Sequence, residues 1–454
     1  MSSILIKNGV VINASGRARQ DVLIEGDKIA AVGQSLTAPG AEMLDAEGCF
    51  VLPGFIDTHT HFGLEVGGAI TADNFASGSK AAALGGTTCV LDFATQAPGG
   101  SLQQALQNWH AQAQGASCNY GFHMAIAHWD EDVRQELPTM VEQGVTSFKM
   151  YMVYDGLKVD DGQIYSALQE TAKLDTLVGV HCENWEVLLR RIREVQLSGI
   201  TGPEGHPLSR PNAVEAEAVA RLMRIAELAQ APCYVVHLST AEGLEEALRA
   251  RARGQKVFLE TCPQYLLLTD ARYGDADGAK FVMSPPLRKA VDTEALWQAL
   301  QSGQINTIGT DHCSFTMAQK NKFVQDFSKI PNGAAGVQHR GQLLYTYGVC
   351  EGRITLEQMV ALLSANAAKL FGMPDYGEIA PGKAADVVIW DPAYEGCITD
   401  TNTAHNCDNS PYAGFIVKGR AKDVLLHGEL AVQGGSFKQA GLGKYIHRSR
   451  CDFD

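Results

Sequence analysis

The sequence lacks several features, and each absence excludes a class of protein. Its 454 residues carry a net charge of -14 at pH 7, so no basic surplus exists to displace counterions from a nucleic-acid backbone. The first residues lack the basic segment and apolar core of a secretory signal peptide. No apolar run reaches the length of a membrane-spanning helix. We therefore expect neither a nucleic-acid partner nor a membrane partner.

The cysteines also lack a pattern. There are eleven of them, an odd number, and no pair has the two-residue spacing of a cysteine zinc site. Several lie within apolar runs, where a free cysteine behaves as a small buried hydrophobe. We expect free thiols rather than a disulfide framework, and the cytoplasm as the location.

The two ends of the chain share one pattern. The first ~50 residues alternate as half-buried strands do, with glycine turns at Gly9, Gly26 and Gly33. The pattern returns in short predicted strands at 385–390 and 423–426. We predict that residues 1–52 and 374–438 form a small β-sandwich domain. Residues 439–454 are predicted to be a tail that is mobile or bridges subunits.

The middle of the chain, residues 53–373, alternates apolar runs with helical patterns. The eight runs lie at 51–57, 87–93, 120–127, 145–151, 177–181, 233–237, 256–260 and 305–311. Eight such alternations predict an α/β fold, the (β/α)8 TIM barrel. An open doubly wound sheet would give the same alternation. The polar residues at the ends of the runs favour the barrel.

Four of these runs end in residue types that commonly bind metals. His59 and His61 are two apart, so their side chains share one face of a strand. His181, His237 and Asp311 end three other runs. Imidazole and carboxylate are zinc ligands, and the carboxyl ends of barrel strands converge. A lone histidine after an apolar run is usually structural, but four such ends predict a metal site.

Lys149 lies inside an apolar run, at 145–151. A buried ammonium without a partner is costly, so burial should lower its pKa toward the neutral amine. A neutral amine can add carbon dioxide to give a carbamate, which is able to bridge two metals. The alternative is a lysine whose ammonium reaches solvent from the strand end.

Nine short motifs run through nearly the whole chain. They are Asp-Thr-His-Thr-His at 57–61, Ser-Phe-Lys at 147–149, Val-His-Cys-Glu-Asn at 180–184, Val-His-Leu-Ser at 236–239, Glu-Thr-Cys-Pro-Gln-Tyr at 260–265, Ser-Pro-Pro-Leu-Arg at 284–288, Thr-Asp-His-Cys-Ser-Phe at 310–315, Pro-Asn-Gly at 331–333 and Pro-Gly-Lys-Ala-Ala-Asp at 381–386. In identity and order they resemble the dihydropyrimidinase/hydantoinase family of the amidohydrolase superfamily, which includes D-hydantoinase-like and phenylhydantoinase-like enzymes.

The resemblance implies a cofactor of two Zn²⁺ per subunit, bridged by N6-carboxylysine at Lys149. The ligands of one zinc would be His59, His61 and Asp311. Those of the other would be His181 and His237. It also implies a homo-oligomer, a tetramer or a dimer.

The resemblance further implies an activity and the residues that perform it. A metal-bridging hydroxide would open the ring amide of hydantoins or dihydropyrimidines, giving N-carbamoyl amino acids. Asp311 would act as general base and then general acid. Tyr154 would hydrogen-bond the developing oxyanion. Main-chain groups of Ser284 and Asn332 would hold the small cyclic amide or imide.

Two alternatives stay open. Allantoinases are similar to this family, and dihydropyrimidinase-related proteins keep the fold as non-catalytic binding proteins. Dihydroorotases usually carry an arginine just after the His-x-His pair, where this chain has Phe62, so an uncharged ring is the better expectation. The chain departs from the family at Gln338, where a glutamate is common, and in the loop at 62–71, where Phe62 and Leu64, together with Tyr151, are candidate walls of the site.

The remaining histidines are assigned structural roles. We expect His123 to be a buried core residue. His110, His128 and His206 are expected at the surface or in loops. His312 should face away from the metals because side chains alternate along a strand.

Overall fold

The computed structural model describes residues 3–66 and 68–453. The strands are β1 Ser3–Lys7, β2 Val10–Asn13, β3 Gly16–Arg19, β4 Asp21–Glu25, β5 Lys28–Gly33, β6 Glu42–Asp45, β7 Phe50–Pro53, β8 Phe55–Thr60, β9 Glu65–Val66, β10 Ala69–Ile70, β11 Thr87–Thr95, β12 Asn119–Ala125, β13 Ser147–Tyr151, β14 Leu177–His181, β15 Cys233–Val235, β16 Val257–Thr261, β17 Thr307–Ile308, β18 Val387–Cys397, β19 Ile416–Leu426, β20 Glu429–Gln433 and β21 Ser436–Phe437.

The helices lie mostly between the strands of the middle region. The α-helices are α1 Phe75–Leu84, α2 Leu102–Gln112, α3 Glu131–Glu142, α4 Asp161–Lys173, α5 Trp185–Leu197, α6 Gly205–Ser209, α7 Asn212–Ala229, α8 Ala241–Ala252, α9 Pro263–Leu267, α10 Ala290–Gln301, α11 Met317–Asn321, α12 Arg340–Leu344, α13 Leu356–Val360 and α14 Asn366–Leu370. Short 3-10 helices are Asp270–Gly274, Gly278–Phe281 and Phe327–Lys329, and π-helical segments are Tyr345–Cys350 and Ala361–Ala365.

Eight parallel strands form the central sheet, in the order β8, β11, β12, β13, β14, β15, β16, β17. The two outer strands meet through a parallel bridge between Thr60 and His312, and the His61 N–H donates to the His312 carbonyl at 2.8 Å. This contact closes the sheet. The (β/α)8 barrel is thereby confirmed, and the open doubly wound sheet is wrong.

The first apolar run divides into two strands instead of one. β7 belongs to a terminal sheet and β8 begins the barrel, with Gly54 between them. A Cβ at Gly54 would lie 2.0 Å from Thr88 Oγ1, so glycine permits the close approach at which the chain changes sheets. The periodicity of the run could not reveal this break.

The terminal segments meet in two sheets. One contains β21, β20, β19, β18, β7, β2 and β3, and the other β5, β4, β1 and β6. A shared apolar cluster includes Ile4 and Ile24 from the N-terminal segment and Val387 and Leu425 from the C-terminal segment. This agrees with the predicted fold class, while the domain boundaries at 52 and 374 stay predictions.

Two C-terminal strands are longer than predicted. β18 and β19 are each eleven residues long, whereas the apolar pattern marked only 385–390 and 423–426. Beyond the apolar part, charged side chains face each other across the pair, with Lys418 Nζ 3.4 Å from Glu395 Oε1. Cross-strand charge pairs extend a ladder without burying apolar area, so the hydrophobic pattern alone misses this extension.

The C-terminal tail packs against the barrel of its own chain. The Ile446 N–H donates to the Tyr120 carbonyl at 2.8 Å. Arg448 is 1% exposed, and its guanidinium donates to Ser147 Oγ at 2.8 Å and to the Phe122 carbonyl. The expectation of a mobile arm is therefore wrong for residues 443–453. A subunit-bridging role stays a prediction.

Two expectations about the whole chain can be compared with the structure. All eleven cysteines are free thiols in the structure, and most of them are buried. Among the helices in the described part of the chain, none is both long enough and apolar enough to cross a membrane.

Candidate active site

The six predicted metal-binding side chains lie at one end of the barrel. They are His59, His61, Lys149, His181, His237 and Asp311. The two histidines of the first motif lie at the end of β8, and the others lie in or just after β13, β14, β15 and β17. Because these are carboxyl ends of parallel strands, the barrel gathers residues that are 252 positions apart in sequence.

The distances between these side chains are short. Asp311 Oδ1 lies 3.2 Å from His59 Nε2 and 3.1 Å from His61 Nε2. The His181 and His237 rings have centroids 4.4 Å apart, and those of His59 and His237 are 5.3 Å apart. Single ligand atoms of His59, His237 and Asp311 all lie within 4.8 Å of one another. The cluster therefore has the dimensions of a metal site.

Two imidazole nitrogens of the cluster suit a cation. His59 Nε2 and His237 Nδ1 are buried and have no hydrogen-bond partner within the described residues. Asp311 Oδ1 comes close to His59 Nε2, but the two atoms do not have the geometry of a hydrogen bond. An unpaired buried polar atom costs about 1–3 kcal/mol. Divalent cations that prefer nitrogen and carboxylate donors, such as zinc, would satisfy these nitrogens.

Buried carboxylates fix two of the rings. His59 Nδ1 lies 2.7 Å from Glu260 Oε1, and His181 Nε2 lies 2.7 Å from Glu183 Oε2. Each carboxylate accepts the N–H of its ring, so His59 presents Nε2 and His181 presents Nδ1 to the centre of the cluster. Glu183 also accepts from Arg210 at 2.7 Å. Although burial opposes ionisation, Arg210 and His181 hold the pKa of Glu183 well below its usual range.

Close packing around the first motif depends on a glycine after β17. A Cβ at Gly309 would lie 2.7 Å from Glu260 Oε2 and 2.8 Å from the His59 Cβ. Any larger residue would push Glu260 off the ring that it orients. Sequence reasoning did not single out Glu260, Glu183 or Gly309, although all three lie in or beside the quoted motifs.

Lys149 is 1% exposed. Its Nζ lies 5.1 Å from the Phe93 ring centroid and 4.9 Å from that of Tyr151. Burial lowers the pKa of Lys149 to about 8, against the opposing charges of Asp311 and Glu260. The alternative in which the ammonium reaches solvent is wrong, because the side chain is buried.

Three residues of this cluster and its surroundings have a backbone conformation that is strained for a non-glycine residue. Tyr154, His237 and Asp311 have φ angles of +82°, +39° and +52°. Non-glycine residues at positive φ cost of order 1–3 kcal/mol and cluster at functional sites. The Tyr154 ring lies 5.1 Å from the His181 ring, and burial raises the pKa of Tyr154 well above its usual value. Its hydroxyl is therefore a hydrogen-bond donor at neutral pH.

The two predicted substrate segments lie side by side. The Gly333 N–H, next to Asn332, donates at 3.0 Å to the carbonyl of Val282, two residues before Ser284. Asn332 Oδ1 is buried and has no hydrogen-bond partner within the described residues, whereas the buried Ser284 Oγ interacts with the Tyr154 hydroxyl. A buried polar atom without a partner is suited to bind a polar ligand.

Two of the remaining histidines test the expectations for them. His123 is buried, donates from Nε2 to the Thr58 carbonyl at 3.1 Å and accepts at Nδ1 from Ser147 Oγ at 2.6 Å, so the core assignment is confirmed. The expectation for His206 is wrong, because it is 2% exposed and donates from Nε2 to the Met283 carbonyl at 2.8 Å.

The residues around the first motif also differ from expectation in one respect. His312 donates to Asp73 at 3.1 Å, away from the cluster, as alternation predicts. Phe62 is fully buried against Phe75 and His312, so it belongs to the core and not to a wall of the site. In the loop at 62–71, Gly67 lies outside the described residues. Gln338 accepts from the Ala404 N–H at 2.7 Å, so an amide suffices at this departure from the family pattern.

The fold and the cluster together define a class, that of barrel enzymes with a metal centre at the carboxyl ends of the strands. The sequence profile of the Amidohydrolase family, which is metal-dependent, matches residues 50–431. The chain belongs to this family.

Individual relatives agree along the whole chain. The chain is 43% identical to the D-hydantoinase of Geobacillus stearothermophilus, over 98% of this chain and 96% of that protein. It is 42% identical to the D-phenylhydantoinase of Escherichia coli O1:K1 / APEC, over 98% of each. The crystal structure of dihydropyrimidinase from Brevibacillus agri NCHU1002 superposes with a TM-score of 0.97 at 41% identity, covering 99% of both chains.

Proposed function

We propose that this chain is a cyclic amidohydrolase of the hydantoinase and dihydropyrimidinase type. It opens the ring amide of hydantoins or dihydropyrimidines and releases N-carbamoyl amino acids. One observation carries the proposal: four imidazoles, one carboxylate and one buried lysine gather at the barrel end of a chain 43% identical to a D-hydantoinase.

The proposed cofactor is a pair of zinc ions bridged by carboxylated Lys149. One ion would be held by His59, His61 and Asp311, and the other by His181 and His237. The unpaired nitrogens of His59 and His237 support this arrangement. When bound, the metal pair supplies a water activated at neutral pH and a Lewis acid for the carbonyl.

The proton transfers are assigned to Asp311. The neighbouring His59 and His61 lower its pKa despite burial, so the carboxylate is ionised and able to accept a proton. It takes the proton of the attacking water and delivers it to the ring nitrogen as the C–N bond breaks. Tyr154 donates its O–H to the carbonyl oxygen as negative charge develops there.

The ring is held by main-chain groups of Ser284 and Asn332. The buried Oδ1 of Asn332 lacks a partner within the described residues, which supports a polar ligand beside it. The residues after the His-x-His pair, Phe62 and Gly63, offer no cation for a substrate carboxylate. The substrate is therefore an uncharged ring.

A substrate panel tests this function. The zinc-loaded protein is incubated with hydantoin, a 5-aryl hydantoin, dihydrouracil, allantoin and dihydroorotate, and ring opening is followed by chromatography. We expect turnover of the first three with kcat/KM at least about tenfold above the last two. A clear preference for allantoin or dihydroorotate, or no turnover of any ring, would overturn the proposal.

We also propose that the protein is a homo-oligomer, a tetramer or a dimer, in the cytoplasm. The free thiols support a reducing compartment. Three exposed apolar side chains, Val187, Leu189 and Leu197, lie on α5, and α5 contacts α6, which carries the exposed Leu208. Exposed apolar side chains of this kind support a subunit contact. Light scattering tests this proposal, and a monomer at micromolar concentration would overturn it.

A further inference from the structure

We propose that Lys320 is a positioning residue that sets the spacing of the two main-chain segments that hold the substrate ring. It would act through Ser284 and Asn332 without touching the ring. The inference rests on the proposed function, because that function assigns the ring to these segments.

One ammonium joins both segments. Lys320 lies on α11 and is fully buried. Its Nζ donates to the Val282 carbonyl at 2.9 Å and to the Pro331 carbonyl at 2.9 Å. Val282 precedes Ser284 by two residues, and Pro331 is bonded directly to Asn332. A displacement of Nζ therefore moves both segments or separates them.

The surroundings of Lys320 are those of a cation without an anion. Among the described residues, no carboxylate lies within ion-pair distance of its Nζ, and the Phe315 ring lies 5.9 Å away. Burial lowers the pKa of Lys320 to about 7. Burying an unpaired ammonium costs stability, so the lysine contributes something other than a favourable ion pair. Its compact head, with three donors, can satisfy two converging carbonyls at once.

A second side chain supports the same segment. His206 Nε2 donates to the carbonyl of Met283, the residue between Val282 and Ser284, at 2.8 Å. Burial lowers the pKa of His206 to about 3, so the ring is neutral and keeps its Nε2–H. Side-chain donors thus fix the two residues before Ser284.

The test compares Lys320→Met with Lys280→Met. Lys280 lies on the 3-10 helix Gly278–Phe281 and is also buried, with 5% of the residue exposed. Its Nζ pairs with an Asp277 carboxylate oxygen at 2.6 Å. Uracil serves as a probe because it carries the imide group in an aromatic ring that resists hydrolysis. KM for hydantoin, kcat, the inhibition constant of uracil and the zinc content are measured for each variant and for the wild type.

For Lys320→Met we expect KM and the uracil inhibition constant to rise together by about tenfold or more, because misplaced recognition groups lose binding energy. The zinc content should stay unchanged, and kcat should stay within about threefold. Lys320→Arg, which keeps cationic donors, should recover part of the affinity. Lys280→Met should leave both constants within about twofold.

Unchanged constants in Lys320→Met, or an equal rise in Lys280→Met, would overturn the inference. If Lys320→Met does not fold, Lys320→Arg takes its place with a smaller expected rise, because arginine keeps cationic donors but not the compact head of lysine, and unchanged constants there overturn the inference. A wild type that opens no hydantoin defeats the proposed function. An active wild type with an insensitive Lys320→Met defeats only the inference about Lys320.

Discussion

Single buried carboxylates orient two of the histidines that we propose as zinc ligands. Glu260 accepts from His59 Nδ1 at 2.7 Å, and Thr58 and Tyr234 also donate to it. We expect Glu260→Gln to weaken zinc binding roughly 10–100-fold, because the amide no longer fixes the His59 tautomer. Competition with a chelator measures this affinity.

A matched control for this substitution is Asp73→Asn. Asp73 is a fully buried carboxylate that accepts from His312 at 3.1 Å and from Ser314 at 2.7 Å, with no ligand histidine among its partners. Its zinc affinity should equal that of the wild type. Equal affinities in Glu260→Gln and Asp73→Asn would show that the tautomer is not set by Glu260.

Residues of the site differ in how far the sequence could predict them. The histidines and Asp311 end apolar runs, so strand geometry and barrel topology bring them together. Glu260 is 201 residues from His59, and only the pairing of distant strands makes it an orienting group. The prediction for His206 was wrong because this histidine contacts Met283, which is 77 residues away in the sequence. A local sequence pattern does not indicate a contact of this kind.

At the scale of elements, the C-terminal tail is held against the barrel by main-chain hydrogen bonds and by the buried side chain of Arg448. Arg448 is buried between β12 and β13 and donates to Ser147 Oγ and to the Phe122 carbonyl. We expect Arg448→Met to reduce the free energy of unfolding by about 2–4 kcal/mol, since a buried carbonyl and hydroxyl lose a charged donor. Urea denaturation measures the change.

Arg450→Met is the control for the tail. The side chain of Arg450 is 63% exposed and pairs with Asp175 at the surface at 2.9 Å, and such pairs contribute under about 1 kcal/mol. If both arginine variants lose the same free energy, the tail does not fasten the barrel through Arg448.

Elements were predicted best where periodicity is uniform. Each of the eight barrel strands overlaps an apolar run in the sequence, because a strand that is buried on both faces is rich in apolar residues. The break at Gly54 and the charged extension of β18 and β19 depend on contacts between strands that are distant in sequence. The tail lacks periodicity and is still ordered, because its hydrogen bonds go to the barrel and not to itself.

The whole molecule should lose stability in mild acid. Burial lowers the pKa of His339 to about 4 and that of His206 to about 3. Between pH 6.5 and 4 the unfolded chain binds protons at these histidines and the folded chain does not, so stability rises with pH in that window. Burial acts in the opposite direction at Asp386, whose pKa it raises to about 6, and it also raises the pKa of Asp57, Asp92, Glu215 and Glu260. The shifted histidines outnumber these carboxyl groups, because burial lowers the pKa of His59, His110, His123, His181, His237, His405 and His427 as well.

His339→Gln tests the sign and size of this effect. The shift at His339 corresponds to roughly 3 kcal/mol that the wild type loses as pH falls from 6.5 to 4. The variant should therefore show a flatter dependence of unfolding free energy on pH, whereas His447→Gln, at an exposed position, should follow the wild type. A wild type whose stability is constant or increases over this range would be inconsistent with neutral buried histidines.

The proposal of two bridged zinc ions is tested most directly by measuring zinc content. Elemental analysis is applied to the purified wild type and to the Lys149→Ala variant. Loss of the bridging side chain should leave the remaining donors unable to hold both ions. We predict about two zinc ions per chain in the wild type, at most about one in the variant, and hydantoin hydrolysis lowered at least about 10³-fold. Full turnover with two ions in Lys149→Ala, or a fully active wild type with one ion, would contradict the account.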